Sequence, residues 1–198
     1  MNIRNTHTTY GTVTKWLHWL TAFLFIISYL TIYFREWFAI SDKENWYAIQ
    51  LHFSVGLTLA VLVVLRIFWR LIDKPPRVNS KSQKVANASR ILHGTLYLIM
   101  IIMPLSGYLS KADYFICGKG QISLYFFYDL HRHNPVALCD IVNATLSALS
   151  QPADIIHQIT GAWLIIPLLA LHIAAALYHH FVVKDDTLLK MTTFKPIK

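Results

Sequence analysis

Residues Asp154 to Lys184 read DIIHQITGAWLIIPLLALHIAAALYHHFVVK, and this stretch decides the fold class. From Ile155 to Val183 it contains no Asp, Glu, Lys or Arg. A transmembrane helix needs about 20 consecutive apolar residues, so this run is long enough to cross a bilayer. A polar ring in hydrocarbon is costly, which makes any histidine there a candidate functional residue. The stretch contains four of them: His157, His172, His179 and His180.

The composition of the whole chain indicates a membrane protein. Of its 198 residues, 55% are hydrophobic and 14% are charged, whereas soluble domains have about 25% charged residues. Four apolar runs predict transmembrane helices over about residues 14–34, 46–70, 89–109 and 155–183. The first run is longer than the apolar region of a signal peptide and no cleavage site follows it, so we expect a retained helix. We therefore predict an all-α, four-helix membrane bundle that forms one domain over residues 1–198.

The distribution of basic residues predicts the orientation of these helices. The net charge of +8 need not indicate a nucleic-acid partner, because basic residues in a membrane protein more often fix its topology. The N-terminus, the second loop and the C-terminal tail together contain 13 of the 18 Lys and Arg residues, and the other two loops contain 5. The positive-inside rule then places both termini and the second loop in the cytoplasm.

With this orientation, the histidines fall into two groups at different depths. His52 and His157 lie near the outer face, whereas His18 and His172 lie in the inner half, with His93 and His179 as competitors for the inner site. His157 and His172 are 15 residues apart, about 22 Å along a helix. Ligation by two histidines suits a haem iron that transfers electrons, whereas a structural zinc ion needs four ligands, usually including cysteine. For any single histidine, a hydrogen-bonded interfacial residue is the alternative.

Several motifs resemble the bacterial cytochrome b561 family. They are KWLHW at 15–19, LHFSVG at 51–56, HGTLYLIM at 93–100 and LHIAAALYHHFVVKDDTLLKM at 171–191. The resemblance implies a dihaem cytochrome of the bacterial inner membrane. Its superoxide oxidase branch passes electrons from superoxide to ubiquinone. The implied axial ligands of the two b-type haems are His18, His52, His157 and His172; His93 and His179 match polar positions that could contact a haem propionate or a quinone.

Two other functions stay open at this point. The chain could be a cytochrome b subunit that docks a hydrogenase or a dehydrogenase, or a haem-free transporter or scaffold.

Three local features lead to further expectations. The third loop, Ser110 to Asp154, contains the patches ISLYFFY (122–128) and ALCDIVNATLSAL (137–149), which we expect to lie as short caps on the membrane surface. Its residues Cys117 and Cys139 are expected to form a disulfide bond, because this loop is assigned to the oxidising side. Pro167 predicts a kink or a π-bulge in the fourth helix.

Overall fold

The chain is almost entirely helical in the computed structural model, which describes residues 2–76, 82–117, 120–130 and 139–193. Within these ranges the side chains of residues 113, 114 and 139–143 are not described. Four helical segments are long and apolar enough to cross a membrane: Thr12–Trp37, Asp42–Ile72, Gln83–Leu109 and Ala144–Val183. The prediction of a mainly helical chain with four helices able to cross a membrane is confirmed.

The first three long helices are each longer than predicted. Helix α1 spans Thr12–Trp37, α2 spans Asp42–Ile72 and α3 spans Gln83–Leu109. Helix α2 begins early because Ser41 and Glu44 form a capping box, in which each residue accepts a hydrogen bond from the other's backbone N–H, at 3.2 and 3.0 Å. A short helix α4, Ala112–Ile116, follows α3.

From Cys139 onward the patch at 137–149 is helical, so the fourth long helix begins well before Ile155. Its expected position on the membrane surface stays a prediction. Helix α5 spans Cys139–Ile159 and contains Pro152. Leu146, Leu149 and Ala153 are spaced as one helical face, and Ala153 is buried. Because a proline removes only one backbone donor, this face can hold the helix together through Pro152.

The helix then changes its hydrogen-bonding pattern twice. Residues Thr160–Ile165 form a π-helix, directly followed by α6, Ile166–Tyr178. Since Pro167 has no N–H to donate, the turn before it can widen, and the predicted π-bulge beside this proline is confirmed. A second π-helix, His179–Val183, ends at Lys184 in the left-handed conformation. The short helix α7, Leu189–Thr192, follows.

The patch at 122–128 lies in a β-hairpin, and its expected position on the membrane surface stays a prediction. Strands β1, Ile122–Leu124, and β2, Tyr128–Leu130, pair antiparallel. Tyr125 and Phe126 both have positive φ, at 46° and 67°, as the tight turn between paired strands requires. Polar side chains of α2 hold the hairpin: Gln50 binds the backbone of both Gln121 and Ser123, and Ser54 Oγ accepts a hydrogen bond from Tyr125 N at 2.9 Å.

The described residues cluster into two compact units. The first comprises 1–21, 62–100 and 161–198, and buries Ile99 and Ile165. Its N-terminal helix is tied to the C-terminal tail, because Lys15 Nζ donates to the carbonyl of Thr193 and Trp19 Nε1 donates to that of Met191. The second comprises 22–61 and 101–160. The prediction of one domain over the whole chain stays a prediction.

The second unit buries both apolar and polar groups. Val55 is 1% exposed and Ile122 is 2% exposed, while the neighbouring Ser54 is fully buried and satisfied by its hydrogen bonds. Many large apolar side chains on the long helices are instead exposed, such as Phe23 and Ile26, each at 60%. Exposed apolar faces of this extent suit contact with lipid hydrocarbon.

Candidate functional site

The second unit brings His52 and His157 together. Their ring centroids are 6.2 Å apart, and both side chains are partly buried. His52 Nδ1 lies 3.1 Å from the carbonyl oxygen of Ser28, and His157 Nδ1 lies 3.0 Å from that of Met103. Because a carbonyl oxygen can only accept, both Nδ1 atoms must carry the proton. Each ring therefore keeps its Nε2 lone pair available for a metal.

Two glycines leave room around this pair. A Cβ atom on Gly107 would lie 2.8 Å from His157 Cε1 and 3.0 Å from Nδ1, so the ring can occupy its position only because residue 107 lacks a side chain. A Cβ atom on Gly56 would meet no atom within 4 Å. Gly56 lies one turn after His52, and open space there would let a flat ring approach α2 closely.

The first unit brings His18, His93 and His172 together. The centroids of His18 and His172 are 6.3 Å apart, and those of His93 and His172 are 5.3 Å apart. His93 Nδ1 donates to the carbonyl of Ser89, one turn earlier in the same helix, at 2.7 Å. His172 thus has two imidazole neighbours at different separations.

His179 has a different partner. Its Nδ1 atom lies 2.5 Å from Asp185 Oδ2, and its ring contacts Tyr178. Burial alone would raise the pKa of the Asp185 carboxyl, but hydrogen bonds from Thr187 and His179 outweigh it, so this pKa lies below its ordinary value. The polar contacts of His179 therefore tie it to the C-terminal tail.

These separations can be compared with the geometry of a metal held between two imidazoles. A metal–nitrogen bond is about 2 Å and the ring centre lies roughly 1.1 Å beyond the nitrogen, so the two centroids should be about 6.2 Å apart. The pairs His52–His157 and His18–His172 match this value at 6.2 and 6.3 Å. The 5.3 Å between His93 and His172 is too short for ligation on opposite sides of one metal.

The donor set also distinguishes between classes of metal site. Across the described ranges, no group of three or more His, Cys, Asp or Glu side chains could hold a metal ion. Each pair offers two imidazoles, so the remaining ligands would have to come from a cofactor. A haem supplies its own equatorial ligands and leaves two axial positions for histidine, and the residues of both pairs therefore fit haem.

The predicted cysteine pair is only partly described. Cys117 takes part in a disulfide bond. The side chain of Cys139 lies outside the described residues, so the pairing itself stays a prediction.

The sequence reasoning missed the groups that support the histidines. The carbonyls of Ser28 and Met103 orient the rings, but a backbone carbonyl leaves no signal in a sequence. Gly107 could have been noticed, because it follows Pro104 by three residues near the end of α3.

Comparisons with known proteins identify the family. The sequence model of the family described as prokaryotic cytochrome b561 matches residues 9–194. Cytochrome b561 homolog 2 of Escherichia coli (strain K12) is 36% identical, over 96% of this chain and 95% of the relative. The probable superoxide oxidase CybB of Yersinia pestis is 31% identical, over 93% of this chain and 96% of the relative. Cytochrome b561 homolog 1 of Escherichia coli (strain K12) is 26% identical, over 89% and 92%. The chain therefore belongs to the prokaryotic cytochrome b561 family, whose members are membrane proteins that transfer electrons through b-type haem.

Proposed function

We propose that this protein is a dihaem cytochrome that passes electrons from a donor on the periplasmic side to the quinone pool of the bacterial inner membrane. The observation that supports this most directly is the presence of one histidine pair at the separation for two-sided ligation in each unit, 6.2 and 6.3 Å. In this proposal the four long helices form a bundle with both termini in the cytoplasm. His52 and His157 hold the outer haem, and His18 and His172 hold the inner haem.

The haems supply one-electron chemistry, and the protein determines how they are held and reached. The carbonyls of Ser28 and Met103 fix the ring orientation and proton position of the outer ligands. A hydrogen-bonded Nδ1–H makes the opposite nitrogen a stronger ligand and limits rotation of the ring. Gly107 gives the His157 ring its space. With two histidines as its ligands, a bound haem would transfer electrons and would offer no open position for substrate.

We propose superoxide as the electron donor and ubiquinone as the acceptor. The support is the likeness over nearly the full length to a relative named probable superoxide oxidase. The charge of the third loop does not itself favour an anionic substrate such as superoxide. Its basic residues are balanced by Asp113, Asp129, Asp140 and Asp154. Purified protein with ubiquinone should accelerate superoxide decay, and the His52→Ala variant should not. Unchanged decay with the wild-type protein would remove superoxide as the donor while leaving the cytochrome assignment in place.

The ligand assignment is tested by four alanine variants. We expect the wild-type protein to contain two haems by pyridine haemochrome assay. His52→Ala and His157→Ala should lose the same haem, whereas His18→Ala and His172→Ala should lose the other. His179→Ala is the matched control and should retain both. If His179→Ala loses a haem that His172→Ala retains, the inner pairing is wrong.

A separate experiment distinguishes a free-standing cytochrome from a subunit of a larger enzyme. Purification in mild detergent from the native membrane should yield this chain without a stoichiometric hydrogenase or dehydrogenase. Recovery of such a partner at a one-to-one ratio would contradict a self-contained oxidoreductase.

A further inference from the structure

The first unit contains a small, positively charged cavity whose lining includes Leu17, the residue before His18. It has a volume of about 30 Å³. Its polar lining comes from the N-terminal segment, α1, the C-terminal end of α2 and the middle of α3; the main residues are Asn5, Tyr10, Arg66, Arg70, Asp73 and Tyr97. Space of this size accommodates one or two water-sized groups. The cavity is therefore large enough for a carboxylate group and too small for a whole phospholipid headgroup.

Two arginines on neighbouring turns of α2 face the same tyrosine. The guanidinium carbons of Arg66 and Arg70 lie 5.7 and 5.4 Å from the centre of the Tyr97 ring. Like charges four residues apart on a helix repel each other. Within the described ranges, neither guanidinium forms an ion pair with a carboxylate. The cavity lining contains these two cations and one anion, Asp73, so its formal charge is +1, which a bound anion would neutralise.

The carboxylate nearest to the two arginines in sequence is already used by another segment. Asp73 Oδ2 accepts a hydrogen bond from the backbone N–H of Asn5 at 2.8 Å, and Asp73 is 7% exposed. The Asn5 side chain also accepts bonds from Gly11 N and Thr14 Oγ1. The N-terminal segment is thus fixed against this side of the cavity by several hydrogen bonds.

The cavity offers neutral donors as well as charge. Burial raises the pKa of the Tyr10 phenol, although the positive charge of Arg70 partly opposes this shift. Tyr10 therefore keeps its proton and remains a hydrogen-bond donor. Charge-assisted bonds from a guanidinium, supported by a phenol, suit a carboxylate.

Arg66 connects the cavity to the histidine pair. Its Nη1 atom donates to the carbonyl of Leu17 at 3.4 Å, and Leu17 directly precedes His18. Leu17 also lines the cavity. This hydrogen bond holds the guanidinium against the backbone next to His18. An anionic edge group of a cofactor bound by the His18 ring could therefore form a charge-assisted bond with Arg66.

We propose that Arg66 is a positioning residue that binds a propionate carboxylate of the haem held by His18 and His172, and that its charge raises the reduction potential of this haem. The inference rests on the proposed function, since it requires a haem between these histidines. A positive charge near the iron favours the reduced state, which carries one positive charge fewer. The Tyr97 ring of α3 and the carbonyl of Leu17 hold the guanidinium in place.

The test is a redox titration, followed by absorbance, of purified dihaem protein reconstituted in bilayer discs that contain only zwitterionic lipid. The variants are Arg66→Gln, Arg66→Lys and Arg70→Gln. For Arg66→Gln, the ratio of reduced to oxidised His18–His172 haem at a fixed ambient potential should fall by about three- to tenfold, where tenfold corresponds to 59 mV for one electron. The His52–His157 haem should not change. Arg66→Lys should stay within twofold of the wild-type ratio, and Arg70→Gln should shift it less than Arg66→Gln.

The pH dependence gives a second readout that a purely structural role would not alter. In Arg66→Gln the propionate loses its counter-charge, so it takes up a proton more readily. The potential of that haem should then depend more steeply on pH than in the wild-type protein. If Arg66→Gln fails to retain the haem, the Arg66→Lys variant tests the proposal instead. The proposal requires that this variant, which keeps the positive charge, retains the haem with nearly wild-type potential.

Three results would overturn the inference. In the first, Arg66→Gln leaves the potential of the His18–His172 haem unchanged. In the second, the shift is absent in the zwitterionic discs and appears when the titration is repeated in discs that contain anionic lipid, which would assign the site to a lipid phosphate. In the third, both haems shift equally. A wild-type protein with fewer than two haems would instead contradict the proposed function, so the two failures can be distinguished.

Discussion

Replacing Gly107 by alanine tests the environment of His157 directly. The added Cβ atom would lie 2.8 Å from His157 Cε1, so the ring must retreat by about 0.6 Å to restore an ordinary contact of 3.4 Å. Functional groups have to be held within about 0.5 Å of their productive geometry. The displacement is therefore large enough to weaken an axial bond from this ring.

Gly107→Ala has two opposing effects on stability, the higher helix propensity of alanine and the clash with His157. A matched control can separate them. Alanine is favoured over glycine inside a helix by about 0.5–1 kcal/mol. Overpacking costs about 1–3 kcal/mol, so Gly107→Ala should destabilise the protein by up to about 2 kcal/mol. Gly94 lies in the same helix α3, and a Cβ there would meet no atom within 4 Å. Gly94→Ala should therefore gain the stabilisation of alanine over glycine in a helix, without a clash.

The assay is haem content per chain, together with thermal unfolding of the purified protein. Gly107→Ala should lose the His52–His157 haem preferentially and unfold at a lower temperature than the wild type. Gly94→Ala should keep this haem and unfold at the same temperature or higher. If Gly107→Ala retains two haems with an unchanged difference spectrum, the close contact with His157 does not position an axial ligand.

Three further predictions concern the parts of the chain around the sites. Gln50→Ala should leave the buried N–H of Ser123 without its hydrogen-bond acceptor, at a cost of about 1–3 kcal/mol. Hydrogen exchange of the Ser123 amide should then accelerate, and unchanged protection would mean that other contacts hold the hairpin. Because the pKa of Asp185 is lowered in the folded state, this carboxylate stabilises the fold above its ordinary pKa, and the contribution disappears as the pH falls through the lower value. The difference in melting temperature between the wild type and Asp185→Asn should therefore narrow as the pH is lowered from about 6 to about 3, and a constant difference would exclude the ionised carboxylate as its cause. If Cys117 and Cys139 are paired, neither should react with an alkylating reagent before reduction, and labelling of both without reduction would show free thiols.

The sequence predicted the long helices well because composition alone identifies a membrane span. The apolar run that ends at Val183 is followed by Lys184 and two aspartates, and the helical segment ends at that boundary. The early start of the last long helix was missed because residues 137–149 mix polar and apolar side chains and Pro152 follows them. In the sequence alone, both features are typical of a loop. The packing that buries Ala153 is visible only in the structure.

The hairpin could not be predicted from its own residues. Its turn places Tyr125 and Phe126 in the left-handed region, which bulky aromatic residues rarely adopt. The conformation depends on Gln50, Ser54 and Thr58, three residues of α2 that are distant in sequence from the hairpin. Grouping the histidines was easier, because depth in a bilayer follows from position in a helix. The structure brings the grouped rings together, and their role as ligands stays a prediction.

The contacts between α1 and the C-terminal tail have a consequence for biosynthesis. Lys15 and Thr193 are 178 residues apart, and Trp19 and Met191 are 172 residues apart. At about 5–20 residues per second, roughly 9–36 s pass between synthesis of the two ends of the first contact. During this interval the newly inserted first helix has to remain in the bilayer without these partners. Assembly around His18 is therefore completed only after translation has reached the final residues, so a nascent chain that stops early would expose this part of α1 to membrane quality control.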